Sequence, residues 1–199
     1  MTAALAAALA VAAAAIGFLL GHRERDTVEV DYRQLTFRRG TITAARFAPE
    51  GGAVVYSALW DGAPSQVYST SPGSPESRPL GLEGAGLLGI STAGEMAVSL
   101  RLGPPVNGFE RVGTLARLPL ATSTAPRELM EQVRWADWDP QGAELAVVRF
   151  ADGKSRLEYP PGKTIFETTS WISHPRVSPD GRRVAFLEHP QQGDDRGFV

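Results

Sequence analysis

The segment "PRVSPDGRRVAFL", residues 175–187, occurs in three further versions along the chain. These are "ARFAPEGGAVVYS" at residues 45–57, "LGISTAGEMAVSL" at residues 88–100 and "ADWDPQGAELAVV" at residues 136–148. All four align without gaps on one glycine, and this glycine recurs at intervals of 43, 48 and 39 residues. A repeat of this length indicates one structural unit that is used several times. The aligned glycines are Gly51, Gly94, Gly142 and Gly181.

Each version has the pattern of two short strands joined by a tight turn. Three versions place a proline before the glycine, and proline presets φ for the first corner of a turn. The glycine can then take the positive φ that closes a short hairpin. The prolines are Pro49, Pro140 and Pro179. An apolar residue four positions before the glycine ends the first strand: Phe47, Ile90, Trp138 or Val177.

Beyond the turn, two apolar residues spaced two apart share one face of the second strand. These pairs are Val54/Tyr56, Leu145/Val147 and Val184/Phe186. The second version is the least regular, because it lacks the proline and has Ala97 and Ser99 in place of larger apolar residues.

Strand pairs at this spacing predict an all-β fold, a partial β-propeller of four-stranded blades. We place the blades at about residues 28–82, 83–131, 132–170 and 171–199, the last stopping where its third strand should begin. A propeller closes with about four to eight blades. We therefore expect missing blades to come from the rest of a longer parent chain, of which this is a fragment, or from another subunit.

The N-terminal residues differ from the rest of the chain. Residues 3–20, "AALAAALAVAAAAIGFLL", contain no charged or polar side chain. As a helix they would span about 27 Å, close to the hydrocarbon thickness of a bilayer. We predict a single-pass membrane anchor at residues 1–22 and a propeller at residues 23–199; a cleaved signal peptide and a soluble Ala-rich helix are the alternatives. The membrane orientation stays open, because Arg23 and Arg25 follow the span among acidic residues.

Charge and composition exclude several classes of function. The 199 residues carry a net charge of -2, so no basic field is available and we expect no nucleic-acid partner. The chain has no cysteine, which excludes disulfides, thiolate catalysis and cysteine-ligated zinc.

The repeat carries a family likeness. "RVSPDGRRVAFLE", with Leu35-Thr36 leading into the first blade, resembles the TolB-type WD40-like propeller repeat, which occurs in periplasmic TolB and in prolyl oligopeptidase-type peptidases. The chain is also similar to the propeller that follows the membrane span of bacterial receptor-type serine/threonine protein kinases. The segments that carry this similarity are residues 32–62, "GSPESRPLGL" and "WISHPRVSPDG". The kinase motifs themselves are absent, so no kinase activity transfers to any residue of this chain.

This resemblance implies a non-enzymatic binding or sensor module for an unknown protein or small-molecule ligand. We expect it to be the periplasmic or extracellular part of a kinase-type receptor. The alternatives are a TolB-like periplasmic scaffold for protein–protein interaction and the accessory propeller of a prolyl oligopeptidase-type peptidase.

Several motifs have simpler explanations than catalysis. Gly84, Gly86 and Gly89 spell G-x-G-x-x-G, but a hairpin follows where a dinucleotide loop needs a helix. "PPGKT", residues 160–164, lacks the first glycine of a phosphate loop, and no G-x-S-x-G elbow exists. The acidic groups "WADWDP" and "GDDRG" lack the spacing of a calcium loop. We therefore predict no catalytic residue, no metal site and no cofactor.

Three residues are candidates for a ligand-binding surface. Trp60 and Trp171 lie in predicted loops at blade edges, where aromatic side chains favour binding, although packing between blades is the alternative. His174 lies near the mouth of the central channel, where a structural hydrogen bond is the alternative to ligand binding.

The state of the N-terminus tests the anchor. We expect an intact Met1 in the membrane fraction, because an uncleaved apolar helix stays in the bilayer. Mass spectrometry of the N-terminal peptide after membrane fractionation measures this. Cleavage near Gly21 would instead indicate a secreted, TolB-like scaffold.

Overall fold

The computed structural model describes residues 30–74, 76–106, 110–121, 124–191, 194 and 196–199, together with Val11. The chain forms two compact units, Met1–Arg33 and Gln34–Val199. The predicted anchor at residues 1–22 lies outside the described residues, apart from Val11. Within the described ranges, no helix is long and apolar enough to cross a bilayer.

The second unit confirms the all-β prediction, because its described residues form strands joined by turns and loops. Its strands in chain order are β1 (Gly40–Phe47), β2 (Val54–Trp60), β3 (Gln66–Thr70), β4 (Arg78–Glu83), β5 (Gly86–Ile90), β6 (Glu95–Leu100), β7 (Pro105–Val106), β8 (Glu110–Arg111), β9 (Gly113–Pro119), β10 (Arg127–Trp138), β11 (Leu145–Ala151), β12 (Lys154–Glu158), β13 (Thr164–Thr168), β14 (Trp171–Val177) and β15 (Val184–His189).

The strands pair antiparallel with their neighbours in the chain. One sheet has the order β1-β2-β3-β4, a second has the order β13-β12-β11-β10-β9-β6-β5, and β14-β15 and β7-β8 form two hairpins. The long strand β10 pairs with β9 through Arg127–Val133 and with β11 through Val133–Trp138. Gln132, at φ 62°, lies where β10 passes from one partner to the other. The seven-stranded sheet is therefore two four-stranded sheets that share β10.

We call β1–β4 blade 1; β5, β6, β9 and the first half of β10 blade 2; the second half of β10 with β11–β13 blade 3; and β14–β15 blade 4. The first strand of each blade lies beside the first strand of the next, so β1 neighbours β5, β5 neighbours β10 and β10 neighbours β14. Successive blades therefore follow one another around a shared axis, and their first strands line a central channel.

The turn glycines take the left-handed conformation that these turns require. Their φ angles are 71°, 77°, 70° and 70° at Gly51, Gly94, Gly142 and Gly181. Each glycine N–H donates to the carbonyl oxygen three residues before it, at 2.8–3.0 Å. Pro49, Pro140 and Pro179 lie two residues before their glycines in the same turns.

The second turn is one residue shorter than the others, which corrects the gapless alignment. Phe47 pairs with Val54 across the first turn, and the third and fourth turns have the same length. Across the second turn, however, Ile90 pairs with Met96, which is one residue nearer. A one-residue shift exchanges the two faces of a strand.

Blade 2 therefore carries its larger apolar residues after all. Met96 and Val98, rather than Ala97 and Ser99, occupy the positions that Leu145 and Val147 hold in blade 3. Both pack against blade 1, where Met96 is 2% exposed and Val98 is fully buried. The reading of the second version as depleted of large apolar residues was wrong, because the shorter turn is invisible to an alignment without gaps.

Apolar clusters between blades form the core. Val55, Val67 and Leu82 of blade 1 pack with Met96 and Val98 of blade 2. An equivalent cluster joins blades 2 and 3 and contains Leu115, Trp138, Leu145 and Val147. Another joins blades 3 and 4 and contains Val148, Leu157, Ile172 and Phe186. Each second strand thus presents alternate residues to the blades on either side.

The two glycine motifs lie in hairpins. Gly86 and Gly89 fall within β5, which leads through a turn into β6, so no helix follows them. Gly162 lies in the turn between β12 and β13, with its N–H donating to the Glu158 carboxylate at 2.7 Å.

Two glycine substitutions separate backbone strain from contact between blades. Gly51→Ala and Gly142→Ala should both cost about 1–2 kcal/mol for the left-handed conformation. Gly142→Ala should cost more, because its new Cβ would lie 3.0 Å from Ser91 Cβ of blade 2, whereas Gly51 has nothing within 4 Å. Urea unfolding of both variants measures the difference. Equal losses would contradict the close contact between the two turns.

Candidate ligand-binding site in the central channel

A β-bulge interrupts the first strand of every blade. The ladder between the first two strands shifts register at Thr43 in blade 1, at Leu88 in blade 2, at Arg134 in blade 3 and at His174-Pro175 in blade 4. A bulge leaves its extra residue outside the ladder and redirects the side chain. Thr43, Leu88, Arg134 and His174 all line one cavity of about 330 Å³ in the channel.

This cavity has a mixed wall. Apolar surface comes from the first strands of blades 1 and 2, from Leu102 and from the ring of Trp135. Polar surface comes from hydroxyl groups and from arginines, which are Arg46, Arg111, Arg134 and Arg176. An apolar pocket with a few convergent polar groups is the usual form of a small-molecule site.

A buried ion pair lies in the cavity wall. Glu110, from the β7–β8 hairpin, accepts a hydrogen bond from the Arg134 guanidinium at 3.4 Å, with side chains 1% and 5% exposed. Glu110 also accepts from Trp135 Nε1, and the Arg134 guanidinium lies 4.6 Å from the Phe150 ring centroid. Burial lowers the pKa of Arg134, and the negative charge of Glu110 opposes that shift.

A second charged group extends across the channel. Arg176 of blade 4 lies 3.8 Å from Asp137, whose other oxygen accepts the Val177 N–H at 2.9 Å. Arg46 of blade 1 donates to the carbonyl oxygens of Ala45 and Leu88, and no ion pair holds it within the described part of the chain. Burial, and then the positive charge of Arg176, lower the pKa of Arg46. The two guanidinium groups therefore repel each other across the cavity.

His174 lies in the cavity beside Trp135, with ring centroids 4.3 Å apart. Desolvation, followed by the charges of Arg176, His189 and Arg46, lowers the pKa of His174, so its ring is neutral at neutral pH. Its φ is 51°, in the left-handed region.

Hydrogen bonds connect this ring to a second histidine. The Arg196 carbonyl oxygen can only accept, so His189 Nδ1 donates to it at 3.2 Å. Ser173 Oγ lies 2.7 Å from His189 Nε2 and 2.7 Å from His174 Nδ1, so one hydroxyl group joins the two rings. Ser173 is fully buried, so its hydroxyl acts within this chain of hydrogen bonds and contacts no ligand.

The structure corrects the two tryptophan candidates, because both are buried. Trp60 ends β2, is 3% exposed and packs with Tyr56 and Tyr68, at centroid distances of 6.2 and 6.5 Å. Trp171 begins β14, is fully buried, stacks on His189 at 3.6 Å and donates Nε1 to the Gln191 carbonyl oxygen at 2.9 Å. Both lie in strands rather than loops, so neither offers a ligand surface. Of the three candidates, only His174 reaches the cavity.

Sequence reasoning missed the charged residues of the cavity. The bulge lies at different distances from the turn glycine in different blades, so no fixed spacing marks Arg134 or His174. Glu110 lies in an insertion between β6 and β9 and has no counterpart in the repeat. In the described ranges, no group of three His, Asp or Glu side chains is arranged to hold a metal ion.

The blades around one channel define a β-propeller, and solved structures have similar folds. The fold is similar to a TolB protein from Agrobacterium tumefaciens, with a TM-score of 0.58 and 16% identity over 76% of this chain and 57% of that chain. TolB from Acinetobacter baumannii is similar at a TM-score of 0.48, with 13% identity over 78% of this chain and 44% of that chain. A prolyl endopeptidase is similar at a TM-score of 0.49, with 15% identity over 75% of this chain and 23% of that chain.

At 16% identity, the similarity to the Agrobacterium protein shows the fold alone, that of the TolB β-propeller, and the chain spans about 57% of the length of that protein. No family model and no curated protein matches the sequence. The finer resemblance to receptor-kinase propellers stays a prediction.

Breaking the buried ion pair between Glu110 and Arg134 should destabilise the fold. Glu110→Gln should lower the free energy of unfolding by about 3–5 kcal/mol, because it leaves the buried charge of Arg134 without a carboxylate. Glu95→Gln, at the more exposed pair with Arg117, is the matched control and should cost about 1 kcal/mol or less. Urea unfolding measures both variants. Equal losses would show that Arg134 and Glu110 are solvated.

Proposed function

We propose that this chain is a non-enzymatic, membrane-anchored β-propeller that recognises a ligand in its central channel. The observation that carries this proposal is the cavity of about 330 Å³, into which bulges in all four blades direct side chains. Function in propellers depends on loops and strand ends that a rigid scaffold positions. Its mechanism is recognition, with no bond made or broken.

We further propose that this propeller is the extracytoplasmic sensor of a serine/threonine kinase-type receptor. The support is the sequence resemblance of residues 32–62 and the apolar run at residues 3–20, which together follow the order of span and propeller in such receptors. The genomic sequence on both sides of the reading frame tests this part. An upstream kinase domain is expected, and a downstream hydrolase domain would contradict it.

A TolB-like scaffold for protein partners is the second candidate, and one observation favours it. Phe47 is 75% exposed and, with Pro49 and Ile90, lines a shallow cleft beside the first two turns. An exposed aromatic side chain of this kind is common at protein–protein contacts.

A ligand screen on the full chain tests the channel. Because the sequence has three histidines, ¹³C labelling of histidine Cε1 gives signals for His22, His174 and His189. A library of anionic, neutral and cationic small molecules should contain compounds that shift the His174 signal saturably. His22, which precedes the propeller, serves as the internal reference. If no compound of any charge shifts His174, ligand binding in the channel is wrong.

A further inference from the structure

The cavity carries more positive than negative charge, although the chain as a whole has a net charge of -2. Its wall holds Arg46, Arg111, Arg134 and Arg176 against the carboxylate of Glu110, and Asp137 lies next to Arg176. Arg111 donates to the Gly103 carbonyl oxygen at 3.1 Å, and no ion pair engages it within the described residues. With His174 neutral, this group of charges has an excess of two positive charges.

The apolar part of the wall limits what kind of anion fits. Ile42 lines the cavity from blade 1, Leu87 and Leu88 line it from blade 2, and Leu102 and Trp135 complete the apolar surface. A bare inorganic anion would leave this surface in contact with water, whereas a hydrocarbon segment between two charged ends would cover it. Arginine guanidinium groups bind carboxylates through paired hydrogen bonds.

We infer that the cavity binds a short aliphatic dicarboxylate, which supplies two negative charges, oxygen acceptors and a methylene segment in one molecule. One carboxylate lies between Arg46 and Arg176, and the other lies against Arg111, which has no ion pair among the described residues. This inference rests on the proposed function, because it names the ligand class of the channel. A bound dianion would also raise the pKa of His174 by opposing the charges of Arg46 and Arg176.

The test compares probes of matched size on the full chain at constant ionic strength. Succinate and glutarate should shift the His174 signal saturably, at least about tenfold more tightly than butyrate, because butyrate lacks the second charge-assisted contact with an arginine. 1,4-Butanediol and inorganic phosphate should not saturate the signal. Butyrate or phosphate binding as tightly as succinate would overturn the dicarboxylate assignment.

Matched arginine variants locate the carboxylate. Arg46→Gln and Arg176→Gln should each weaken succinate binding about tenfold, whereas Arg78→Gln, on exposed strand β4, removes the same charge outside the cavity and should leave binding unchanged. Equal binding by all three would overturn the assignment. If either cavity variant fails to fold, the probe comparison on the unmodified chain still decides.

Saturation by a neutral or cationic compound alone would refute the dicarboxylate and leave the proposed function standing, whereas a screen without any saturable shift refutes both.

Discussion

Packing of each second strand against the preceding blade is the contact on which the rest of the structure depends. Its geometry follows from the turn, because turn length sets which residues of the second strand face the earlier blade. Leu145 and Val147 face blade 2 in this way, as Met96 and Val98 face blade 1. The turns also touch directly: Thr92 of the second turn donates to the Pro140 carbonyl oxygen of the third at 3.3 Å. Strand register and blade stacking are therefore fixed by the same few residues.

The sequence was sufficient for the fold because the information about the turns is local. Proline and glycine restrict the backbone at their own positions, so a repeat of these residues indicates repeated hairpins whatever surrounds them. The strand faces of blade 2 could not be predicted in the same way. A turn that is one residue shorter after its glycine keeps that glycine at the same distance from the first strand, yet it places Met96 rather than Ala97 at the interface with blade 1. Only the pairing of Ile90 with Met96 reveals this shift.

The candidate site was much less predictable, because it depends on residues that are far apart in sequence. The sequence predicts His174 near the channel from its position at the start of a blade's innermost strand, and the structure places it in the cavity wall, but nothing in the sequence indicates its neighbours there. Glu110 approaches Arg134 across 24 positions of sequence, and nothing in either segment alone indicates a buried ion pair. Trp60 and Trp171 were misjudged for the converse reason. A tryptophan at the boundary of a strand can face either solvent or core, and here both face the core.

The bulges explain how one repeat combines a uniform core with a varied channel. Residues within the ladder are constrained, because each must fill the space between two blades. The bulge residue is outside the ladder, so its side chain can change without disturbing the pairing on either side. The four blades place threonine, leucine, arginine and histidine at this point, whereas their interface positions stay apolar. Two of these residues also stabilise the propeller, because Leu88 packs in the core between blades 2 and 3 and Arg134 pairs with buried Glu110. Substitution of the exposed Thr43 should therefore disturb the fold less than substitution of Leu88 or Arg134.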